Sequence, residues 1–336
     1  MSVNNIHIQQ NTQLKIKQAI AALVKGEVVA IPTETVYGLA ANGLKDEAVK
    51  KIFEIKNRPL NNPLILHFAN KEAVLKYVDF EVESLRSDFD KLYQAFSPGP
   101  ITYLLPKSEL VPSLITAGSN RVAVRFPNHP ITQMILSGLN FPLAAPSANP
   151  SGYISPSCAA HVQNQLGDKV EIIVDGGKCE GGIESTIIGW ENNQPIIYRK
   201  GLITAADIES VIGIKPHYKI ASKNQSQETQ LDAPGMMTSH YAPRTKTILT
   251  QNIKQEIQKY PTHKIGVIKL MKDQEGILVN PTMYLSSNGD LTEIAQNLYA
   301  TMHEMDTLKL DVILIEKAPD TGVGVAINDR LSRASV

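Results

Sequence analysis

Short apolar runs, each the length of a single strand, recur from residue 14 to about residue 200 and alternate with segments of helical periodicity. Each run is bounded by Gly, Pro or Asn, residues that commonly end regular structure. This order indicates an α/β protein, but the runs outnumber the helices between them, so a simple doubly wound sheet is excluded. The predicted strands are 28–31, 64–68, 101–105, 122–126, 143–145, 171–174, 186–189 and 196–199.

A helix is predicted over residues 46–56, where Val49, Ile52 and Phe53 share one face and Pro59 lies just beyond the end. The composition then changes at residues 215–230, which are polar and have neither strand nor helix periodicity, as in a linker. After it, strands over 264–270 and 311–315 enclose a helical pattern over 291–308, which predicts a small βαβ domain.

Composition excludes several classes of protein. Lys plus Arg and Asp plus Glu each total 33, and this zero net charge argues against non-specific coating of nucleic acid. Two cysteines, Cys158 and Cys179, are too few for a disulfide framework and are predicted to be free thiols. The first 13 residues lack a signal-peptide core, and no run approaches the roughly 20 apolar residues of a membrane span. We therefore expect a cytoplasmic protein with no membrane contact.

Residues 31–40, IPTETVYGLA, carry the strongest local signal. Two threonines, a carboxylate and a tyrosine crowd a turn that Gly38 closes, and they offer hydroxyl and amide groups to a small polar ligand. A plain hydroxyl-stabilised turn before a helix explains the composition about equally well.

Residues 56–67, KNRPLNNPLILH, place Lys56 and Arg58 at a helix end and His67 in the following strand. A cation at a helix C-terminus often only complements the helix dipole, and this alternative is stronger for Lys56. Arg58 lies past the last turn beside a proline, a rigid position for a charge. We expect it to face solvent and to contribute little to stability.

Residues 121–126, RVAVRF, place Arg121 and Arg125 on one face of a strand, with the small Ala123 between them. Two arginines so arranged suit carboxylate or phosphate oxygens, although a solvated sheet edge is an equally good interpretation. Residues 143–152, LAAPSANPSG, run from a small-residue strand into a loop with Ser147 and Asn149, which suits a sugar or phosphate but also an ordinary turn.

The known nucleotide and hydrolase motifs are missing from the sequence: it has no GxxxxGK[ST], no GxSxG and no GxGxxG at a helix start. Instead, IPTETVYGLA, KNRPLNNPLILH, SPGPIT, RVAVRFP, APSANPSG, ESTI and YRKG follow one another in order. In this order and spacing the chain resembles the YrdC-like family, and specifically the two-domain threonylcarbamoyl-AMP synthases. The resemblance resumes at residues 234–243 and 322–333, and the KxR and SxN pairs are intact as Lys56/Arg58 and Ser147/Asn149.

The resemblance implies a fold, a division of the chain and a reaction. The fold is an open, twisted, mixed α/β sheet with a large cavity over residues 14–201, followed by a linker with a lid segment (202–244) and a small Rossmann-like domain (245–336). The reaction is that of a nucleotidyltransferase making threonylcarbamoyl-AMP and pyrophosphate from L-threonine, bicarbonate and ATP. The product feeds the threonylcarbamoyl modification of a tRNA adenosine next to the anticodon, through a downstream tRNA-modifying transferase complex. A weak tRNA contact is compatible with a basic cavity.

The resemblance also assigns residues. Catalysis would be positioning and charge neutralisation by Lys56 and Arg58, with Mg²⁺ on the phosphates and no dedicated protein ligand. Tyr241 would reach back over the nucleotide, in a segment bracketed by Pro234 and Pro243. The residues implied for L-threonine are Thr35, His67, Arg125, Ala145 and Ser185, and those for ATP are Lys56, Arg58, Asn62, Arg121, Ser147, Asn149, Ser155, Arg199 and Tyr241.

Three alternative functions compete with synthesis. A carbamoyl-transfer enzyme of the hydrogenase-maturation type shares a YrdC-like domain, but the chain lacks the Cys-rich module that accompanies it. An RNA-binding module is disfavoured by the zero net charge and the 6% aromatic content, since single-strand binders use aromatic stacking. A non-catalytic structural protein leaves the ordered polar motifs unexplained.

Overall fold

The first two-thirds of the chain form a ten-stranded mixed sheet. The computed structural model describes residues 10–80, 82–219, 233–235, 240–272 and 279–335. The strands of this sheet are β1 (Val29–Ile31), β2 (Gly38–Asn42), β3 (Ile65–His67), β4 (Ile101–Pro106), β5 (Arg121–Arg125), β6 (Leu143–Ala144), β7 (Ile172–Ile173), β8 (Thr186–Glu191), β9 (Gln194–Arg199) and β10 (His217–Tyr218). Their order across the sheet is β10-β9-β8-β4-β5-β3-β6-β2-β1-β7.

Eight helices accompany this sheet in the described residues. One face of the sheet packs on the largest apolar core, which includes Val124 and Phe126, and one end of the other face is covered by the first and sixth helices. The middle of that second face carries polar side chains instead. The helices are α1 (Gln10–Lys25), α2 (Asp46–Lys56), α3 (Lys71–Val74), α4 (Glu83–Phe96), α5 (Ser113–Thr116), α6 (Pro130–Ser137), α7 (Ala159–Leu166) and α8 (Ala205–Ile212).

Strand pairing brings three polar side chains into one row on this second face. Strands β3 and β5 are parallel with His67 opposite Arg125, and β4 is antiparallel to β5 with Thr102 opposite Arg125. Because paired residues in neighbouring strands project to the same side, the three side chains lie next to one another. The sheet thereby sets the spacing of the site.

The rest of the chain forms a four-stranded parallel sheet of order β11-β14-β12-β13. Val36, Ile154 and Ile183 of the first domain pack into one apolar core with the last two helices, so the domains share buried surface. The elements are β11 (Lys246–Thr250), α9 (Ile253–Ile257), β12 (Ile265–Met271), β13 (Thr282–Ser286), α10 (Leu291–Asp306), β14 (Val312–Glu316) and α11 (Gly324–Ala334).

The sequence-based fold prediction is confirmed in class, and α2 occupies the predicted residues 46–56. The second domain is larger than the predicted βαβ unit, because β11 and β13 were not recognised. The prediction of no regular structure over 215–230 was wrong at β10, which pairs in parallel with β9; residues 220–230 lie outside the described residues. In the described ranges no helix is long and apolar enough to cross a membrane, and both cysteines are free thiols.

Candidate active site

A cavity of about 50 Å³ lies on the polar middle of the first sheet. At this volume it holds only a few water molecules. Residues from β3, β5, the end of β9 and the linker all contribute to its wall. The predicted site residues in that wall are Arg58, His67, Arg125, Ala145, Ser147, Arg199 and Tyr241.

Arg125 stands at the end of β5 with most of its guanidinium buried. One terminal nitrogen, Nη2, donates to Glu34 Oε1 and to Thr35 Oγ1, both at 2.8 Å. Its Nε is buried and has no hydrogen-bond partner in the described part of the chain. A buried guanidinium with an unused donor is costly unless an acceptor arrives, so this group is prepared for an incoming carboxylate.

The turn after β1 is built by hydroxyl groups, as its composition suggested. Thr33 Oγ1 donates to the Val36 carbonyl at 2.6 Å and lies 2.9 Å from Thr35 Oγ1. Thr35 does not itself belong to the cavity wall, but it contacts Arg125 directly behind it. Thr33, which the sequence did not single out as a site residue, lines the cavity.

His67 adjoins Arg125 and is a neutral imidazole. Its Nδ1 lies 3.2 Å from the Ile65 carbonyl oxygen. Burial, and then the positive charge of Arg125, lowers the pKa of His67 to about 3. At neutral pH the ring therefore acts through hydrogen bonds and adds no charge to the site.

Lys56 and Arg58 form a second cationic group beside the first. Lys56 is 1% exposed, and its ammonium donates to the carbonyls of Ser147 (2.6 Å) and Asn149. Burial, and then repulsion by Arg58, holds the pKa of Lys56 well below its usual value. The KxR and SxN pairs are thus in direct contact, although Lys56 and Asn149 lie behind the cavity wall.

Arg58 is not the solvent-facing residue that the sequence suggested, because the loop after α2 folds around it and leaves it 9% exposed. Its Nε donates to the Asn62 carbonyl at 3.1 Å, and its Nη2 donates to Asn62 Oδ1 at 2.6 Å and to the Pro63 carbonyl at 2.7 Å. The asparagine therefore orients the arginine, and Arg58 is the member of this pair that lies in the cavity wall.

Arg199 completes the set of buried cations from the end of β9. Its Nη2 donates to Ser185 Oγ at 2.9 Å and its Nε to the Ser185 carbonyl at 3.0 Å. Ser185 Oγ also lies 2.7 Å from Thr102 Oγ1, so the hydroxyl is fixed from two sides. Ser185 is fully buried behind Arg199.

The linker covers the cavity at two points that the structure describes. Arg199 Nη1 donates to the Pro234 carbonyl at 3.5 Å, and Tyr241 is 1% exposed with its ring 4.0 Å from that of His240. The Tyr241 hydroxyl is buried and has no hydrogen-bond partner within the described residues. Residues 236–239 of the predicted lid lie outside the described residues.

Arg121 is the one predicted residue that the structure keeps away from the cavity. It starts β5 on the same face as Arg125, about 13 Å along the strand at its normal rise. Its Nη1 donates to the Tyr198 hydroxyl at 2.5 Å and lies 4.0 Å from Glu191 Oε1.

The sequence patterns did not single out Glu184 and Arg330 as candidate site residues. Glu184 lines the cavity and accepts from Ser155 Oγ at 2.5 Å, from the Tyr299 hydroxyl at 3.0 Å and from Arg330 Nε at 2.7 Å. Ser155, a predicted residue, thus reaches the site through Glu184. Glu184 could have been anticipated from the sequence, because several buried arginines around one cavity need a nearby carboxylate to offset their positive charge.

The arrangement suits anions, and the described residues of the site contain no nucleophile paired with a base. In the residues that the structure covers, no group of three or more His, Cys, Asp or Glu is placed to hold a metal ion. Two adjacent cationic groups, Arg125 on one side and Lys56, Arg58 and Arg199 on the other, suit one small carboxylate and one larger polyanion.

Comparisons with known proteins agree with this geometry. The Sua5/YciO/YrdC family model, described as telomere recombination, matches residues 21–201, and the model described as the C-terminal domain of threonylcarbamoyl-AMP synthase matches residues 203–336. The threonylcarbamoyl-AMP synthase of Pyrococcus abyssi is 38% identical, with 96% of this chain and 94% of the relative covered. That of Bacillus subtilis is also 38% identical, with 96% and 93% covered.

A solved structure extends the likeness to three dimensions. The crystal structure of P. abyssi Sua5 complexed with L-threonine matches with a TM-score of 0.87 and 39% identity. The match covers 96% of this chain and 94% of that chain, so both domains and the linker between them are included.

Proposed function

The chain belongs to the two-domain family of threonylcarbamoyl-AMP synthases, and from this premise we propose which residues carry the reaction. It is an ATP-using enzyme of the nucleotidyltransferase type that makes threonylcarbamoyl-AMP for tRNA modification. The finer proposals are the substrates beyond threonine, the residues that bind them, and the order of events.

L-Threonine binds on the Arg125 side of the cavity. The observation that carries this assignment is the buried Nε–H of the Arg125 guanidinium fork, which has no partner in the described residues and is free to donate to the threonine carboxylate. Glu34 and Thr35 accept from Nη2 and fix the orientation of that fork. Ser185 and the neutral His67 supply hydrogen-bonding groups for the amine and hydroxyl. Ala145, in the same wall, leaves room for the methyl group.

ATP binds on the side of Lys56, Arg58 and Arg199. Because the cavity closed by Pro234, Gly235 and Tyr241 holds only a few water molecules, the linker has to move aside for ATP to enter. Ser147 and Asn149 hold the ammonium of Lys56 through their carbonyls, and Asn62 holds the guanidinium of Arg58. Ser155 acts at Glu184, at the edge of the same region. Arg121, farther along β5, is proposed for the distal part of the nucleotide.

The reaction then needs only positioning and charge neutralisation. The threonine amine captures bicarbonate as a carbamate with loss of water, and a carbamate oxygen attacks the α-phosphorus of ATP. The phosphorus–oxygen bond to the β-phosphate breaks, and pyrophosphate leaves with the electron pair. Lys56 and Arg58 offset the charge that develops on the phosphate oxygens, so no enzyme nucleophile is required.

Mg²⁺ accompanies ATP through the phosphate oxygens. The side chains proposed around the triphosphate are cations, amides and hydroxyls, with no carboxylate among them, and this donor set does not fit a protein-held magnesium site. When bound, the ion withdraws charge from the phosphates that react.

Tyr241 and the segment 234–243 form the lid of the proposed site. The proposed division of the chain is therefore a catalytic domain (14–201), a linker that carries the lid (202–244) and a C-terminal domain (245–336). Exclusion of water by the lid protects the carbamate and the mixed anhydride from hydrolysis. The product passes to a downstream tRNA-modifying transferase complex, for which we propose the cytoplasm and a weak tRNA contact at most.

Threonine binding tests the assignment of Arg125 directly. In calorimetry without ATP, Arg125→Lys replaces the fork with a point charge and is expected to weaken L-threonine binding at least tenfold. Arg121→Lys is the matched control, because it makes the same exchange on the same strand face outside the cavity, and it is expected to leave threonine affinity unchanged. Equal losses in both variants would contradict the proposed orientation of the substrate.

A further inference from the structure

One arginine of the second domain reaches into the wall of the first. Arg330 lies on α11, is 1% exposed, and donates from Nε to Glu184 Oε2 at 2.7 Å. Its Nη2 donates to the Lys200 carbonyl at 2.8 Å, and its guanidinium carbon lies 5.0 Å from the centre of the Tyr241 ring. A single side chain therefore contacts the catalytic domain and the proposed lid.

Glu184 is the one carboxylate in the described wall of the cavity. Burial alone raises the pKa of a carboxyl group, but Arg330 and then Arg199 outweigh it and lower the pKa of Glu184 to about 2. The group is thus a fixed negative charge at neutral pH. It lies beside the cations Arg58 and Arg199, which line the same small cavity.

This placement creates a conflict that Arg330 resolves. A buried carboxylate without its own partner pairs with the nearest cations, which here are the ones proposed for the triphosphate. Both carboxylate oxygens of Glu184 are used: Oε2 accepts from Arg330 and Tyr299 of the second domain, and Oε1 accepts from Ser155 of the first. The cations of the first domain are then left for an incoming anion.

We propose that Arg330 is a positioning residue for the nucleotide: it engages Glu184 and supports the Tyr241 ring, so that the C-terminal domain completes the ATP side of the site. The inference rests on the proposed ATP site and assigns a task to the second domain in the same reaction.

Nucleotide and threonine affinities measured separately test this role. In Arg330→Met, Glu184 is released toward Arg58 and Arg199, so we expect ATP binding to weaken at least tenfold while L-threonine binding changes less than threefold. If Arg330 had a purely structural role, the substitution would weaken ATP binding and L-threonine binding to a similar extent. In the double variant Arg330→Met/Glu184→Gln the competing charge is gone, and ATP affinity is expected to return to within about threefold of wild type.

Arg333→Met is the matched control. It removes a second arginine from the same helix, one turn away, whose Nε pairs with Asp329 at 3.1 Å. Arg330 Nη1 also donates to Asp329, at 2.9 Å, so this carboxylate keeps a partner in the control variant. ATP and threonine affinities of this variant are expected to stay within twofold of wild type. If Arg330→Met does not fold, Arg330→Lys replaces it, because lysine keeps the charge beside Glu184 and is expected to hold ATP affinity within about fivefold.

Three results would overturn the inference: unchanged ATP affinity in Arg330→Met, a double variant no better than the single one, or a tenfold loss in Arg330→Lys. Failure of the proposed function is a separate outcome, since it appears in the wild-type protein as absence of threonylcarbamoyl-AMP synthesis before any variant is made.

Discussion

Buried positive charge is the defining property of the site at the level of single residues. Lys56, Arg58, Arg125 and Arg199 are each less than a tenth exposed, and each is held by hydrogen bonds from the surrounding loops. Glu34 offsets the charge of Arg125, but Lys56, Arg58 and Arg199 donate to carbonyl, amide and hydroxyl oxygens. Burying a cation with neutral partners costs free energy, and a bound polyanion would offset that cost. The depressed pKa of Lys56 expresses the same cost.

Proton uptake is therefore predicted to accompany ATP binding. Phosphate oxygens raise the pKa of Lys56 from its depressed value, so a proton is taken up when ATP binds at a pH between the pKa of the free enzyme and that of the complex, and ATP affinity falls as pH rises across this range. Calorimetry in buffers of different ionisation enthalpy measures this proton uptake. Lys56→Met is expected to lose the uptake, whereas Lys51→Met, on the same helix but paired with Glu27 at the surface, should retain it. Equal uptake in both variants would exclude Lys56 as the source.

Amino-acid selection is predicted to depend on the hydroxyl more than on the methyl group. If Thr35, His67 and Ser185 bind the threonine hydroxyl, serine loses only the methyl contact, about 1–3 kcal/mol, while valine leaves buried polar groups unpaired and is rejected more strongly. Product formation with each amino acid at equal concentration measures the ranking. Equal product formation with valine and serine would show that the site does not recognise the hydroxyl group.

Sequence patterns predicted which residues share a strand face better than they predicted the surroundings of each side chain. Alternation in β5 correctly put Arg121 and Arg125 on one face, but it could not show that Arg121 pairs with Tyr198 away from the cavity. Arg58 was expected in solvent because the burial comes from the loop closing over it, a tertiary event. Glu184 and Arg330 meet across domains, 146 positions apart, which no local pattern reveals.

The linker is the element on which closure of the site depends. It contacts the cavity at Pro234 and Gly235 and again at Tyr241, where it reaches a positive φ of 65°. The sequence predicted that only the second half of the linker docks, from its change to apolar, proline-bounded residues. The short β10 in its first half was missed because two residues carry no periodicity.

Gly235→Ala is predicted to open the lid. The added Cβ would lie 2.8 Å from the Tyr241 hydroxyl and 3.0 Å from Arg199 Cδ, at a φ of +82° that an L side chain rarely adopts. We expect pyrophosphate release to become partly uncoupled from product, and proteolysis between residues 231 and 244 to be slowed less by ATP plus threonine than in wild type.

Gly213→Ala is the control for backbone strain, because its φ is +74° and its Cβ meets nothing within 4 Å. In both variants the left-handed backbone conformation is expected to lower the free energy of unfolding by about 1 kcal/mol. Only Gly235→Ala should alter the coupling of pyrophosphate release to product formation. Full coupling in Gly235→Ala would mean that the segment is a passive tether.

At the scale of the whole molecule, the two domains share one apolar core. Val36, Ile154 and Ile183 come from the first domain and pack with α10 and α11 of the second. Apolar runs in the sequence predicted strands of both sheets, yet the shared core was not predicted because Val36, Ile154 and Ile183 lie in loops, where no periodicity marks a buried face. The buried contact makes the second domain part of the site's architecture.

Ile154→Ala is therefore predicted to destabilise the second domain. Truncating this buried side chain leaves a cavity and is expected to lower the free energy of unfolding by about 2–5 kcal/mol. Hydrogen exchange should become faster in residues 291–306 and 324–334. Val124→Ala, in the core of the first domain alone, is the control and should leave exchange in those helices unchanged. Identical exchange in both variants would contradict the shared core.

Pyrophosphate release with each substrate omitted in turn tests the proposed reaction most directly. With ATP, L-threonine and bicarbonate all present, one pyrophosphate is expected for each threonylcarbamoyl-AMP formed, and omission of threonine or of bicarbonate should stop both. Pyrophosphate released at the full rate without threonine or without bicarbonate, or with no adenylate formed, would contradict the synthesis that the buried cations, the Arg125 fork and the docked linker are proposed to perform.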